Sequence, residues 1–235
     1  MTPHLVAAQS VDCDDSNQES NRGMPIASSR HGLAAQTSVF GQVMSLVAMT
    51  LALLSLGAYL GRSLAGGASI VLFIVGLVCI VGLNFARSSR PLSEGLLFAA
   101  GLCLGLGLGG GLHQYAQAAP GAVWQAAAAT GLFIAGLGSL GYAINADLSA
   151  GYRILFWLLL GLILLGLATL FVSIPGGNLI YAILGLAIFG GYTVLDFNRM
   201  RRAGMEDAVL IAAGIFLDVV NVFLFFLQLF GRRER

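Results

Sequence analysis

Residues 216–230 read FLDVVNVFLFFLQLF, a segment that is apolar almost throughout. Extended back to Ala208, it makes about 23 residues, which is enough to cross a bilayer with some tilt. Asp218 then falls near the middle of the crossing, where placing a carboxylate costs about 2.5–3.5 kcal/mol or more. An acid at that depth is typical of an ion pathway, a proton relay or a counter-ion. The simpler alternative is an acid satisfied only by its neighbours.

The composition of the chain points to a membrane protein. Hydrophobic residues make up 57% of the 235 residues, and charged residues only 10%. A soluble domain carries about 25% charged residues, so the charge that a soluble surface needs is missing. The net charge of +1 excludes nucleic acid as an expected partner.

Seven apolar runs follow a polar N-terminal segment. Residues 1–36 are rich in Ser, Asn and Asp and predict a disordered tail, and residues 37–235 predict a seven-span membrane domain. Short breaks with Gly, Pro and polar residues separate the runs. The runs are Val39–Leu60, Ala68–Ala86, Leu92–Leu112, Val123–Ile144, Ile154–Ile174, Leu179–Arg199 and Ala208–Phe230.

The third run contains the glycine-rich segment GLCLGLGLGGG, residues 101–111. Gly101, Gly105 and Gly109 follow each other at intervals of four and form one smooth helix face, which favours close helix packing in a membrane. The alternative, a phosphate-binding loop, lacks a preceding strand and the Lys and Ser/Thr that such a loop requires.

Arginine placement predicts the orientation. With a cytoplasmic N terminus, the inside segments hold eight arginines and the outside segments hold four, as the positive-inside rule favours. The basic end GRRER, residues 231–235, argues the other way, and it would lie inside if the last run were a re-entrant segment.

A second acid, Asp196, ends the sixth run in the segment YTVLDFNRMRR, residues 192–202. The negative end of a helix dipole disfavours an anion there, and Arg199, three residues later, supplies a compensating charge. Taken alone, Asp196 also fits an ordinary acid at the membrane boundary.

Asp196 and Asp218 are placed symmetrically about position 207, in the break between the last two runs. If the sixth helix continues to Arg202, an antiparallel pair puts them within about one helical turn, roughly 5 Å along the axis. Two carboxylates in a poorly solvated site share a proton and titrate as a pair, which describes either a proton-sensitive latch or an acid/base dyad. Arg87, at the end of the second run, faces the same side and is placed to pair with them. It also fits a simple positive-inside role.

At these residues the chain resembles the Bax inhibitor-1/YccA-like family of small membrane proteins. The resemblance rests on YTVLD, residues 192–196, and on FLDVVNVF, residues 216–223, with Asp218, Asn221 and Phe223. The seven runs, the short breaks and the Pro that opens the third run agree over roughly residues 39–231. The motifs are most specific in the last 45 residues or so.

The resemblance implies an all-α integral membrane protein with six helices packed around a central C-terminal seventh. It also implies a multi-pass protein of a bacterial cytoplasmic membrane that acts as a pH-sensitive calcium leak. Asp196 and Asp218 would hold a closure on the cytoplasmic side with Arg87, supported by Asn221, Tyr192 and Arg199. Calcium or another cation would bind transiently at the two aspartates, and no cofactor or resident metal is implied.

Two other functions stay open. Some members of the family carry an acid midway along the second helix, whereas the second run here, SIVLFIVGLVCIVGLNFA at residues 69–86, has none. Bacterial relatives resemble modulators of a membrane protease, so a non-conducting scaffold or modulator is the alternative. Two aspartates on the sixth and seventh helices also resemble presenilin-type proteases, but that family's Y-D, G-x-G-D and P-A-L signatures are absent. We therefore expect no enzyme.

Overall fold

The structure is a computed structural model that describes residues 24–64, 66–169, 171 and 177–231, with side chains from residue 39 onward. The chain divides into two units, Met1–Ser38 and Val39–Arg235, and the fold described here is that of the second. The predicted tail lies outside the described residues as far as residue 23. From Met24 on, the backbone is already helical.

The described part of the chain holds seven α-helices and no strand. A short 3-10 helix, Gly61–Ser63, and a turn at Gly66 with a φ of 67° connect the first two. The α-helices are α1 (Met24–Leu60), α2 (Gly67–Gly82), α3 (Arg90–Ala118), α4 (Pro120–Ala143), α5 (Gly151–Ala168), α6 (Gly177–Met200) and α7 (Ala208–Phe230). The all-α class predicted from the apolar runs is confirmed.

Six segments in the described residues are long and apolar enough to cross a membrane: Val39–Ser63, which joins α1 to the 3-10 helix, and α3 to α7. Helix α2 has 16 residues, about 24 Å at 1.5 Å per residue, and is shorter than the hydrocarbon core of about 30 Å. The sequence predicted a second span as far as Ala86. The helix ends earlier because Asn84 and Phe85 bond to the carbonyls three residues back and form a turn.

The glycine face of α3 packs directly on α1, as predicted. A Cβ atom at Gly101, Gly105 or Gly109 would collide with a backbone carbonyl oxygen of α1. The three carbonyls belong to Thr50, Leu54 and Ala58, which repeat at the same interval of four residues. The two backbones therefore touch along two turns, which only glycine permits.

Helix α7 takes part in all four hydrophobic clusters of the described side chains. Besides α7, the helices that supply buried members are α1, α3 and α6 in the first cluster, α5 and α6 in the second, α4 in the third and α3 in the fourth. In the most apolar 18-residue window of α7, 56% of the window is buried inside the protein, against 39% or less of the same window in each of the other five candidate spans. Helix α7 is thus the most enclosed of the six.

Helix α6 ends at Met200, two residues before the end that the sequence argument required. Arg202 and Ala203 bond to the carbonyls of Arg199 and Met200, so the chain turns there. Asp196 meets α7 at Gly214, one turn before Asp218, which is within the one helical turn that the sequence predicted.

Candidate functional site

Asp196 lies near the end of α6 with 7% of its surface exposed. Its Oδ1 accepts a hydrogen bond of 2.5 Å from the hydroxyl of Tyr152, the second residue of α5. Its Oδ2 lies over Gly214 of α7, so closely that a Cβ atom at Gly214 would collide with it. One carboxyl group is thus held between two neighbouring helices.

Asp218 follows Gly214 by one turn of α7 and is 3% exposed, so it faces other helices. It interacts electrostatically with Asp196 and lies beside the hydroxyl of Thr193. Its buried Oδ2 makes no hydrogen bond to any described residue. The structure therefore places the two predicted acids close enough to interact electrostatically, and it leaves Asp218 Oδ2 without a hydrogen bond.

Two of the predicted supporting residues belong to the same group. Arg199 acts electrostatically on Asp196, while its guanidinium lies 3.4 Å from a carboxylate oxygen of Asp207. Tyr192 interacts electrostatically with both Asp196 and Asp218. Its ring centroid lies 6.2 Å from that of Tyr152, so the two tyrosines line the same side of the site.

The other two predicted residues lie elsewhere. Arg87 is exposed in the turn after α2, and its guanidinium donates to Asn84 Oδ1 at 3.3 Å. The Asn221 side chain donates to the carbonyl oxygen of Leu217, one turn back on the same helix, at 2.8 Å. Neither makes a hydrogen bond to an aspartate of the site.

An open cleft of 510 Å³ lies beside the site, at the end of the bundle where α6 turns into α7. Tyr152, whose hydroxyl bonds Asp196, is one of its walls, whereas neither aspartate of the site lines it. Its lining residues come from the α4–α5 turn, α5, α6 and the α6–α7 turn: Asp147, Ser149, Tyr152, Leu195, Arg199, Arg202, Ala203 and Asp207.

Ion pairs hold the charges at the cleft mouth. Arg202 pairs with Asp147 at 2.8 Å, and Arg199 with Asp207 at 3.4 Å. The backbone N–H of Ser149, followed by the Arg202 side chain, lowers the pKa of the exposed Asp147 carboxyl. Both acids of the mouth are therefore paired, in contrast to Asp218.

Asn198 of α6 is 1% exposed and joins α6 to the α4–α5 turn by hydrogen bonds. Its Nδ2 donates to the carbonyl oxygens of Gly141, Ile144 and Ala146 at 3.3, 2.8 and 3.2 Å. Its Oδ1 accepts from the backbone N–H of Leu148 at 3.3 Å and from Arg202 at 2.5 Å. One side chain satisfies the end of α4 and fixes the loop that precedes Tyr152.

Tyr152 and Asn198 were not predicted from the sequence. Both act on residues more than 40 positions away in the chain, so no local pattern carries their roles. The available signals were weak: a polar Asn two residues after a candidate acid, and a Tyr at the start of an apolar run.

The acids alone do not form a metal site. No group of three or more His, Cys, Asp or Glu side chains placed to hold a metal ion occurs in the described part of the chain. Calcium takes six to eight oxygen ligands, so a calcium ion at Asp196 and Asp218 would need carbonyl or water oxygens as well.

Comparison with known proteins places the chain in a family. The model of the family described as "Inhibitor of apoptosis-promoting Bax1" matches residues 36–235. A Helicobacter pylori protein is 31% identical over 164 residues, which cover 68% of this chain and 70% of the relative. A Chlamydia muridarum protein is 29% identical over 221 residues, covering 84% and 90%.

Both of those relatives are described only as uncharacterized proteins. A Streptococcus pyogenes relative, 24% identical over 170 residues that cover 68% of this chain and 73% of the relative, is described as an uncharacterized membrane protein. The apolar helices and this likeness agree that the chain is a multi-pass membrane protein. The family match covers the whole of residues 37–235, including both aspartate motifs, and the chain therefore belongs to the Bax inhibitor-1 family.

Proposed function

We propose that this protein is a pH-sensitive cation leak, with calcium as the expected ion, gated by Asp196 and Asp218 between α6 and α7. The observation that carries the proposal is the pair of buried carboxyl groups beside the cleft. They are 7% and 3% exposed, and the cleft wall residue Tyr152 bonds one of them directly. Burying two acids is costly, and ion pathways, proton relays and counter-ions are the usual reasons to keep them.

The chemistry of the gate follows from proton sharing. With one proton between them, one carboxyl group donates to the other in a charge-assisted hydrogen bond that holds α6 and α7 together. Raising the pH removes the proton and leaves two anions in apposition. Lowering the pH protonates both groups, so the bond weakens to a neutral one. Closure is therefore strongest at intermediate pH, and the leak increases at either extreme.

The test is calcium flux into liposomes that contain the purified protein, measured between about pH 5 and 8. We expect wild type to leak with a minimum at intermediate pH, and Asp218→Asn to flatten the profile. Asp196→Asn should flatten it too and leave the fold intact, because Asp196 lies nearer water. Glu94→Gln is the matched control, because Glu94 pairs with Arg90 on α3 at 2.9 Å. It should keep the wild-type profile.

Absence of flux in wild type, at the level of protein-free liposomes, contradicts the leak. A wild-type pH profile in both Asn variants contradicts the gate.

The proposed architecture places α7 at the centre of the other six helices, with the N terminus in the cytoplasm of a bacterial cell. The membership of α7 in all four hydrophobic clusters supports the central position. If α2 crosses the membrane as well as the six longer segments, the cleft mouth, with Arg199 and Arg202, lies on the cytoplasmic side, as the positive-inside rule favours. Cysteine labelling from either side of the membrane at exposed positions in the α1–α2 and α4–α5 turns tests this orientation.

A non-conducting scaffold or modulator of a membrane protease is the second candidate. Two observations favour it: α2 contains no acid, and Arg87 hydrogen-bonds Asn84 rather than an aspartate of the site. This candidate is the one supported if wild-type protein passes no cation at any pH. In either case we propose a non-enzymatic role.

A further inference from the structure

The two aspartates of the site have unequal surroundings. Asp196 receives a hydrogen bond from the Tyr152 hydroxyl at 2.5 Å and the positive charge of Arg199. Both favour a carboxylate anion, because an ionised carboxylate is an acceptor only and needs donors or cations around it. Asp196 is therefore equipped to stay charged although it is almost fully buried.

Asp218 has the opposite surroundings. The Thr193 hydroxyl next to it donates its one proton to the carbonyl oxygen of Phe189 at 2.9 Å. While that bond is made, Thr193 has no proton left for Asp218, and Asp218 Oδ2 makes no hydrogen bond to a described residue. A buried carboxyl oxygen without a donor is matched to the protonated form of the group, which has an O–H to donate.

We infer that Tyr152 is a positioning residue that keeps Asp196 as the charged member of the pair and aims its Oδ2 at α7, so that Asp218 carries the shared proton. The inference rests on the proposed function for its part in gating, and it adds which acid holds the proton and which residue decides this. With Oδ1 fixed by Tyr152, the other oxygen lies over Gly214, on the side of Asp218.

Tyr152 also connects the site to the cleft mouth. It follows Ser149 and Asp147 of the α4–α5 turn, and Asp147 pairs with Arg202. Three helices supply the charged and titratable groups that act on the two aspartates. Helix α5 supplies Tyr152 and α6 supplies Arg199 and Tyr192, while Asp196 of α6 and Asp218 of α7 act on each other. Of these, only Tyr152 donates a hydrogen bond to either carboxyl group in the described part of the site.

Infrared titration of the full-length protein in nanodiscs tests the inference without any need for ion flux. At neutral pH we expect wild type to show the absorption of one buried protonated carboxyl group. Asp218→Asn should remove it, and Asp196→Asn should retain it. Loss in Asp196→Asn with retention in Asp218→Asn overturns the assignment.

Tyr152→Phe removes only the hydroxyl and keeps the ring beside Tyr192. Without the donor, Asp196 should take up its proton at a pH higher by about one to two units, the size expected for a hydrogen bond to a charged group. Tyr181→Phe is the matched control, because Tyr181 lies on α6 about 22 Å from Asp196 along the helix. It should titrate as wild type. The same titration in Tyr152→Phe and Tyr181→Phe contradicts the role of Tyr152.

Flux measurements separate this inference from the leak itself. If wild type passes no cation but the infrared results are as expected, the leak is wrong and the proton assignment stands. If wild type leaks with a pH minimum and Tyr152→Phe has the profile of Tyr181→Phe, the leak stands and the positioning role is wrong. If Tyr152→Phe does not fold, the two Asp→Asn titrations still decide which acid holds the proton.

Discussion

A single methyl group at Gly214 should displace Asp196, whose carboxyl atoms are the three nearest to it. An ideal Cβ atom at Gly214 would collide with Asp196 Oδ2 and lie 3.1 Å from its Cγ and 3.5 Å from its Oδ1. The carboxyl group must therefore move when Gly214 becomes Ala. Because the obstacle is a side chain and not backbone, the helices can stay in place while Oδ2 turns away from α7.

The size of the effect follows from two opposing terms. Alanine in a helix interior is favoured over glycine by up to about 1 kcal/mol, whereas overpacking a filled site costs about 1–3 kcal/mol. Gly131→Ala on α4 is the matched control, because a Cβ atom there meets nothing within 4 Å. The free energy of unfolding of Gly214→Ala should therefore be about 1–3 kcal/mol lower than that of Gly131→Ala.

Thermal unfolding in detergent measures this difference in stability. A double-mutant cycle tests whether the difference comes from the contact with the Asp196 carboxyl group. Combining Gly214→Ala with Asp196→Ala removes the obstacle, so the penalty of the methyl group should disappear in that background. Equal stability of Gly214→Ala and Gly131→Ala, or a penalty that persists without the Asp196 carboxyl group, would refute the placement of Oδ2 over Gly214.

Two further predictions concern the frame that holds the site. Gly105→Leu should destabilise the fold by about 3 kcal/mol or more, because its side chain would enter the backbone of α1 at Leu54. Gly111→Leu, on the same helix but with open space around the Cβ position, should be nearly neutral in the same unfolding assay. Asn198→Ala leaves the end of α4 unsatisfied and should cost about 3 kcal/mol. It should also raise hydrogen exchange in the α4–α5 turn, and unchanged exchange there would contradict the fastening role.

The helices were predictable because each long apolar run must satisfy its backbone hydrogen bonds internally within a membrane. All seven runs became helices, and the glycine face of α3 packs as its spacing predicted. The errors lie at the ends. Helix α1 begins at Met24 and not near Val39, and α2 stops at Gly82, because apolarity marks where a helix meets lipid and not where its hydrogen bonds begin and end.

The site was predictable only in part, for a similar reason. An acid within an apolar run stands out in the sequence, so Asp196 and Asp218 were both found. Tyr152 and Asn198 depend on how closely the α4–α5 turn and α5 approach α6, across 44 and 54 residues of chain. Arg87 was placed by topology alone, and a shared side of the membrane does not imply contact.

The distribution of partners around the acids indicates what the site is built to do. At the cleft mouth, Asp147 and Asp207 are each paired with an arginine. Asp196 has a tyrosine hydroxyl and a nearby arginine charge, and Asp218 has no hydrogen bond to its buried Oδ2. A fold selected only for stability would fill the last position with an apolar side chain, since a buried charge or unpaired acid weakens it. In the proposed gate, this cost lies where a single proton would decide the interaction between α6 and α7, which is the requirement for a switch.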